Sequence, residues 1–136
     1  MSDKLIYTAR VRTTGGREGG TSRSDDGRLV ISHSLPGTGT GTNPEQLLAA
    51  GWSGCFEGAM GIAAKRMGIV LPRSYTIDAE IDLKHGASGY LLGARLNVSI
   101  SGLESAVAQT IVDAAFQICP YSKALRGSID TMIRAV

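Results

Sequence analysis

Hydrophobic and polar positions along the 136-residue chain change period several times. Residues 5–13, LIYTARVRT, alternate as a half-buried strand does. GGREGGTSRSDDGR follows as a Gly/Ser/Asp-rich turn region, and residues 28–33, RLVISH, predict a second short strand. Together they predict an N-terminal antiparallel meander. LPGTGTGT is a loop. Asn43 suits a helix cap and Pro44 a first turn, so a helix is predicted from Pro44 to Met67. Leu47, Ala50, Gly51, Gly54, Cys55, Gly58, Ala59 and Ile62 form one band with i, i+3, i+4 spacing. Several are small, which allows close approach of another backbone. The segment is apolar almost all round until Lys65, the pattern of a buried central helix, and Gly68 is its stop.

Residues 74–84 alternate cleanly, with Tyr75, Ile77, Ala79, Ile81 and Leu83 on one face. HGASG reads as a turn and residues 90–100 as the returning strand of a hairpin. A second helix is predicted over 104–118, with Ala106, Val107, Ile111, Ala114, Ala115 and Ile118 on its apolar side. Pro120 disfavours helical geometry at Cys119, so the helix breaks there. A short helix over 121–126 and a last strand over 128–134 complete the reading. The order is β-β-α-β-β-α-β, an α+β fold in one domain spanning 1–136.

Composition narrows the function. Hydrophobic residues make up 43% and charged residues 19%, an ordinary globular balance. A net charge of +2 with scattered arginines argues against a nucleic-acid partner. One Trp, two Phe and four Tyr give no stacking platform for single strands. The N-terminus lacks the apolar core of a signal peptide, and no run approaches the roughly 18 apolar residues of a membrane span. The expectation is a soluble, cytoplasmic protein without a membrane partner.

Two cysteines carry the chemistry. Cys55 lies within AAGWSGCFEGAMGIAAK and Cys119 opens CPYSKALRG. In a reducing compartment such a pair is more often catalytic or redox-active than a structural staple. A thiolate that attacks a peroxide becomes a sulfenic acid, and a second thiol can condense with it to a disulfide. Core packing is the alternative, since free cysteine is among the most buried residue types. Other motifs carry less. GTGTGT at 37–42 lacks the features of a phosphate-binding loop. His33 and His85 lack ligand spacing, so no metal is expected; His33 reads as a surface residue and His85 as a turn residue. Asp25-Asp26-Gly27 reads as a turn.

Three separated segments resemble one family. GTNPEQLLAAGWSGCFEGAM (41–60) resembles the first signature of organic hydroperoxide resistance proteins, the Ohr branch of the Ohr/OsmC thiol peroxidases. CPYSKALRGSID (119–130) resembles the second, and GGREGGTSRSDDGRLV (15–30) the N-terminal arginine loop. The resemblance implies an intertwined homodimer, with antiparallel sheets around central helices. It implies reduction of alkyl and fatty-acid hydroperoxides to alcohols, with no metal, haem or flavin cofactor. Cys55 matches the peroxidatic cysteine and Cys119 the resolving cysteine. Arg17 matches the arginine that holds Cys55 as thiolate, and Glu45 the glutamate that positions that arginine. The implied reductant is a dithiol of lipoyl type. An OsmC-like peroxidase of different substrate balance, or a non-catalytic thiol sensor, are the alternatives; the arginine in the GGR loop favours the Ohr branch.

The sequence departs from the family pattern at Phe116, Lys123, Ser128 and Glu57. A carboxylate at Glu57 would raise the Cys55 pKa if it pointed inward. Glu45 and Cys55 are separated by about 15 Å of rise on an unbroken helix, too far to share one arginine easily. Either the helix breaks or Glu45 serves the partner's site; the second is expected. The apolar residues around Cys55 (Leu47, Leu48, Trp52, Phe56, Met60) would suit an alkyl chain, and most are expected to be core.

Overall fold

The computed structural model describes residues 2–136, which divide into two compact units, one ending at Pro44 and one running from Glu45 to Val136. The first unit holds a three-stranded antiparallel sheet. Its strands are β1 (Val11–Thr14), β2 (Thr21–Ser24) and β3 (Val30–Ser32), in that order. β2 lies in the segment expected to be all turn. TSRS carries no hydrophobic alternation, and pairing on both sides makes it a strand. Conversely, residues 5–10 alternate but lie outside any strand and are exposed. β1 begins only where Val11 meets Ser24.

The Asp25-Asp26-Gly27 segment is a turn, as its composition predicts. Gly27 N–H donates to the Ser24 carbonyl at 3.1 Å, and the Asp26 carboxylate accepts from the Ser24 hydroxyl and the Arg28 N–H. His33 differs from its expected surface position. It is 9% exposed, and its Nε2 lies 2.6 Å from Ser22 Oγ, which in turn lies 2.7 Å from Thr13 Oγ1.

From Glu45 on, the second unit is led by α1 (Pro44–Arg66), whose first residue closes the first unit; the helix is one residue shorter than expected and unbroken. It ends in a Schellman arrangement. Ile69 N–H reaches the Ala64 carbonyl, Gly68 N–H reaches that of Lys65, and Gly68 takes the left-handed φ of 69° that such a stop requires. One face of α1, made of Trp52, Phe56, Ala59, Met60, Ala63 and Ala64, is buried. The opposite face, with Ala50, Gly54, Gly58, Gly61 and Ile62, is exposed in the protomer. The helix is therefore apolar on both sides but covered by its own chain on one.

The buried face meets a mixed sheet of β4 (Tyr75–Gly86), β5 (Gly89–Ile100) and β6 (Asp130–Ala135) and the helix α2 (Ser105–Ile118) in one core. β5 contributes Ala94, Leu96, Val98 and Ile100; α2 contributes Ala108, Ile111, Val112 and Ala115. β4 and β5 form the expected hairpin, and Tyr75, Ile77, Ala79 and Ile81 face inward in alternation. β6 adds parallel to β5, against the expectation of antiparallel sheets. α2 and the short helix α3 (Pro120–Leu125) form the crossover that a parallel pair requires. Among the described residues the result is α+β with three helices and two sheets, in the order β-β-β-α-β-β-α-α-β. Among the described residues no helix is long and apolar enough to cross a membrane.

Candidate active site

Pro120 acts as the sequence predicts. It occupies the first turn of α3 and holds Cys119 in extended geometry, φ −62° and ψ 120°. Cys119 is thereby both the end of α2 and the start of α3. Its N–H donates to Ala115 O at 2.8 Å, and its carbonyl accepts from Lys123 N–H at 2.9 Å. The turn between the helices aims the side chain at α1, where the Cys119 thiol donates to Cys55 Sγ at 3.1 Å. The two sequence-predicted cysteines are therefore together, both as free thiols.

Their environments differ. Cys119 is fully buried at 0% exposure, whereas Cys55 is half-buried, at the border between the buried and exposed faces of α1. Burial pushes the Cys55 thiol above its ordinary range. The Tyr121 backbone N–H acts the other way by bonding the sulfur, and the neighbouring Cys119 thiol adds to the upward shift. A reactive thiolate at Cys55 therefore calls for a cation to offset its burial.

α3 sits closely on α1. Trp52 Nε1–H donates to Ser122 Oγ at 2.9 Å, with both residues fully buried. A Cβ on Gly51 would come within 2.8 Å of the Tyr121 hydroxyl, so a bare backbone lets the tyrosine approach. Beside this contact, Leu48, Pro120, Tyr121, Ala124 and Leu125 line an apolar hollow of about 310 Å³. Of the apolar residues flanking Cys55, Trp52, Phe56 and Met60 belong to the core and Leu48 lines the hollow. The sequence reading missed Ser122 and the Tyr121 amide. The signal available for Ser122 was its spacing: it follows Cys119 by three, as Trp52 precedes Cys55 by three.

Arg17 lies on an exposed loop of the first unit. That loop is tightly folded. Gly20 N–H donates to Gly16 O at 3.0 Å, and a Cβ on Gly20 would fall 2.1 Å from the same oxygen. The His33 backbone pins the loop, its carbonyl accepting from Gly19 N–H and its N–H donating to Gly20 O, each at 2.8 Å. Glu45 is in the first turn of α1. With α1 continuous from Pro44 to Arg66, a helix break between Glu45 and Cys55 is excluded.

Glu57, Phe116, Lys123 and Ser128, the departures from the family pattern, take different settings. Glu57 is exposed, and its carboxylate accepts from the Tyr75 hydroxyl at 2.9 Å rather than facing Cys55. Burial, then Glu57, holds the Tyr75 phenol above its ordinary pKa. Phe116 packs half-buried against the core, Lys123 is exposed, and Ser128 N–H closes a turn to Leu125 O.

Comparison with known proteins gives a consistent picture. The family described as OsmC-like protein matches residues 37–134. An organic hydroperoxide resistance protein of Xanthomonas axonopodis pv. citri is 42% identical over 135 residues, covering 96% of this chain and 95% of its own. Organic hydroperoxide resistance protein OhrB of Bacillus subtilis is 40% identical over 134 residues, 94% of this chain and 96% of its own. The crystal structure of OhrB superposes with a TM-score of 0.90, covering 97% of this chain and 100% of that one. One from Legionella pneumophila, described as an organic hydroperoxide resistance protein, gives 0.89 at 36% identity, covering 97% of this chain and 98% of that one.

Proposed function

The chain belongs to the OsmC-like family, among its organic hydroperoxide resistance proteins, and from that premise we propose that it is a cysteine-based peroxidase for organic hydroperoxides. The observation that carries this reading is the Cys55–Cys119 pair, one sulfur half-buried and the other fully buried 3.1 Å away.

The Cys55 thiolate attacks the distal oxygen of ROOH. The O–O bond breaks, the alkoxide takes a proton and leaves as ROH, and Cys55 becomes a sulfenic acid. Cys119 then attacks the sulfenic sulfur, an S–S bond forms, and water leaves. An incoming dithiol reduces the disulfide and closes its own. Its lipoyl character rests on the resemblance.

Arg17 supplies the cation that Cys55 needs. A guanidinium stays charged, and its fork can take a carboxylate and a peroxide oxygen together. Glu45 orients it. The continuous α1 supports assigning Glu45 to the site of a second copy of the chain, in a homodimer. The exposed small-residue face of α1 supports the same assembly by leaving an apolar surface for that copy. Residues 1–136 then act as one functional domain, since both units contribute. A cytoplasmic location fits thiols that must return to the reduced state. No metal or other cofactor enters any step.

Organic peroxides are favoured because an alkyl chain gains about 0.8 kcal/mol per buried CH₂. The apolar hollow lined by Leu48 and Leu125 supports this preference. The test is consumption of cumene hydroperoxide against hydrogen peroxide with dihydrolipoamide as reductant. Turnover on the organic peroxide that disappears in Cys55→Ser is expected. Turnover indifferent to Cys55 would overturn the reading. Stoichiometric oxidation without turnover would make the protein a sensor.

A further inference from the structure

The geometry points to Trp52 and Ser122 as positioning residues for the thiol pair: their hydrogen bond is the register pin that keeps Cys119 in reach of Cys55. Trp52 and Cys55 are three apart on α1, hence on one face. Cys119 and Ser122 are three apart across the start of α3, and Trp52 meets Ser122 while Cys55 meets Cys119. The two contacts are consecutive rungs of one antiparallel register between α1 and α3.

The thiol rung cannot set that register itself, because it is consumed and remade in each cycle. The other rung is chemically inert. Its donor and acceptor are both at 0% exposure, so neither finds water if the helices part. α3 needs such a fixture. It has six residues, starts at Pro120 and ends at Leu125, two residues before Gly127, so it is too short to be stable without packing. Any drift of α3 carries Cys119 with it, since the Cys119 carbonyl accepts the first helical bond from Lys123. The Gly51–Tyr121 approach lies alongside the same two rungs.

The consequence falls on one step. Loosening the pin lowers the effective concentration of Cys119 at Cys55, while the attack of Cys55 on peroxide keeps its chemistry. The consequence for turnover rests on the peroxidase reading; the placement of the thiols does not.

The test therefore uses an equilibrium that needs no peroxide. Wild type, Ser122→Ala, Trp52→Phe and the double variant are equilibrated with mixtures of reduced and oxidised dithiothreitol, and the Cys55–Cys119 disulfide is measured after acid quench. Two thiols give up two electrons and two protons to oxidised dithiothreitol as the disulfide forms. Disulfide formation in each variant is expected to fall roughly tenfold, about 1.4 kcal/mol at 25 °C, the scale of one buried hydrogen bond. The double variant, which leaves no orphaned donor, should fall by a similar factor. Val98→Ala, a core truncation on β5, should lower thermal stability and leave the equilibrium unmoved. With peroxide, the pin variants should form sulfenic acid at the wild-type rate and accumulate sulfinic acid. An unchanged equilibrium in both single variants, or an equal fall in Val98→Ala, would overturn the pin. A shifted equilibrium in a protein without peroxide turnover would uphold the pin and sink the peroxidase reading instead.

Discussion

At the scale of single residues, the asymmetry between the two thiols governs what each can do. A disulfide between them offers an incoming thiol one accessible sulfur, that of Cys55, because Cys119 is fully buried. The reductant should therefore attack Cys55 and expel Cys119 as the leaving thiolate. Oxidised protein treated briefly with a monothiol and acid-quenched should carry the mixed disulfide on the Cys55 peptide. An adduct on the Cys119 peptide would reverse the assignment. Burial raises the Cys55 pKa, so the thiolate fraction at neutral pH depends on the cation proposed for Arg17. In Arg17→Ala the midpoint of iodoacetamide reactivity against pH should move upward, with at least a tenfold loss of the peroxide rate near pH 7. A midpoint that stays in place would remove Arg17 from that role. That the two cysteines form a pair was legible in the sequence, and so was the break at Cys119, because Pro120 disfavours helical geometry before it. The Trp52–Ser122 contact was not, since it joins segments far apart in sequence.

At the scale of elements, turns and ion pairs fix where these residues stand. The Arg17 loop leaves no room for a side chain on Gly20. Gly20→Ala should displace the loop and reproduce the shifted iodoacetamide profile of Arg17→Ala, with the unfolding midpoint little changed. An unchanged profile would show that the loop's fold does not position Arg17. On the β4–β5 hairpin, the Arg95 guanidinium grips Asp82 through two bonds of 2.6 and 2.8 Å and holds its carboxyl below the usual range. A depressed carboxyl contributes stability above its unfolded pKa and loses it as pH falls through the lower folded value. Arg95→Gln should thus narrow the stability difference between neutral pH and pH 3, by a modest amount because the pair is exposed. Equal acid sensitivity in variant and wild type would contradict it. α1 and the hairpin were legible because their periodicity is long and clean. β2 was not, because four polar residues become a strand only through their neighbours.

At the scale of the whole molecule, α1 decides how complete one chain can be. Glu45 and Cys55 stand ten residues apart on a continuous helix, so the proposed site draws Glu45 from a second copy. Glu45→Ala and Cys55→Ser, each inactive alone, should complement when unfolded together and refolded. Half of the dimers would be mixed, each with one intact site, restoring about a quarter of wild-type activity. No recovery would place Glu45 and Cys55 in the same chain's site. The fold class was legible from the sequence of elements, but the direction of β6 was not. Strand patterns carry no direction, and only the α2–α3 crossover makes the pair with β5 parallel. The most direct test of the proposed peroxidase is the mass and peptide map of reduced protein after one equivalent of cumene hydroperoxide, without reductant. Loss of two hydrogens and a Cys55–Cys119 disulfide are expected. An unmodified protein, or a sulfinic acid at Cys55 with Cys119 still free, would contradict it.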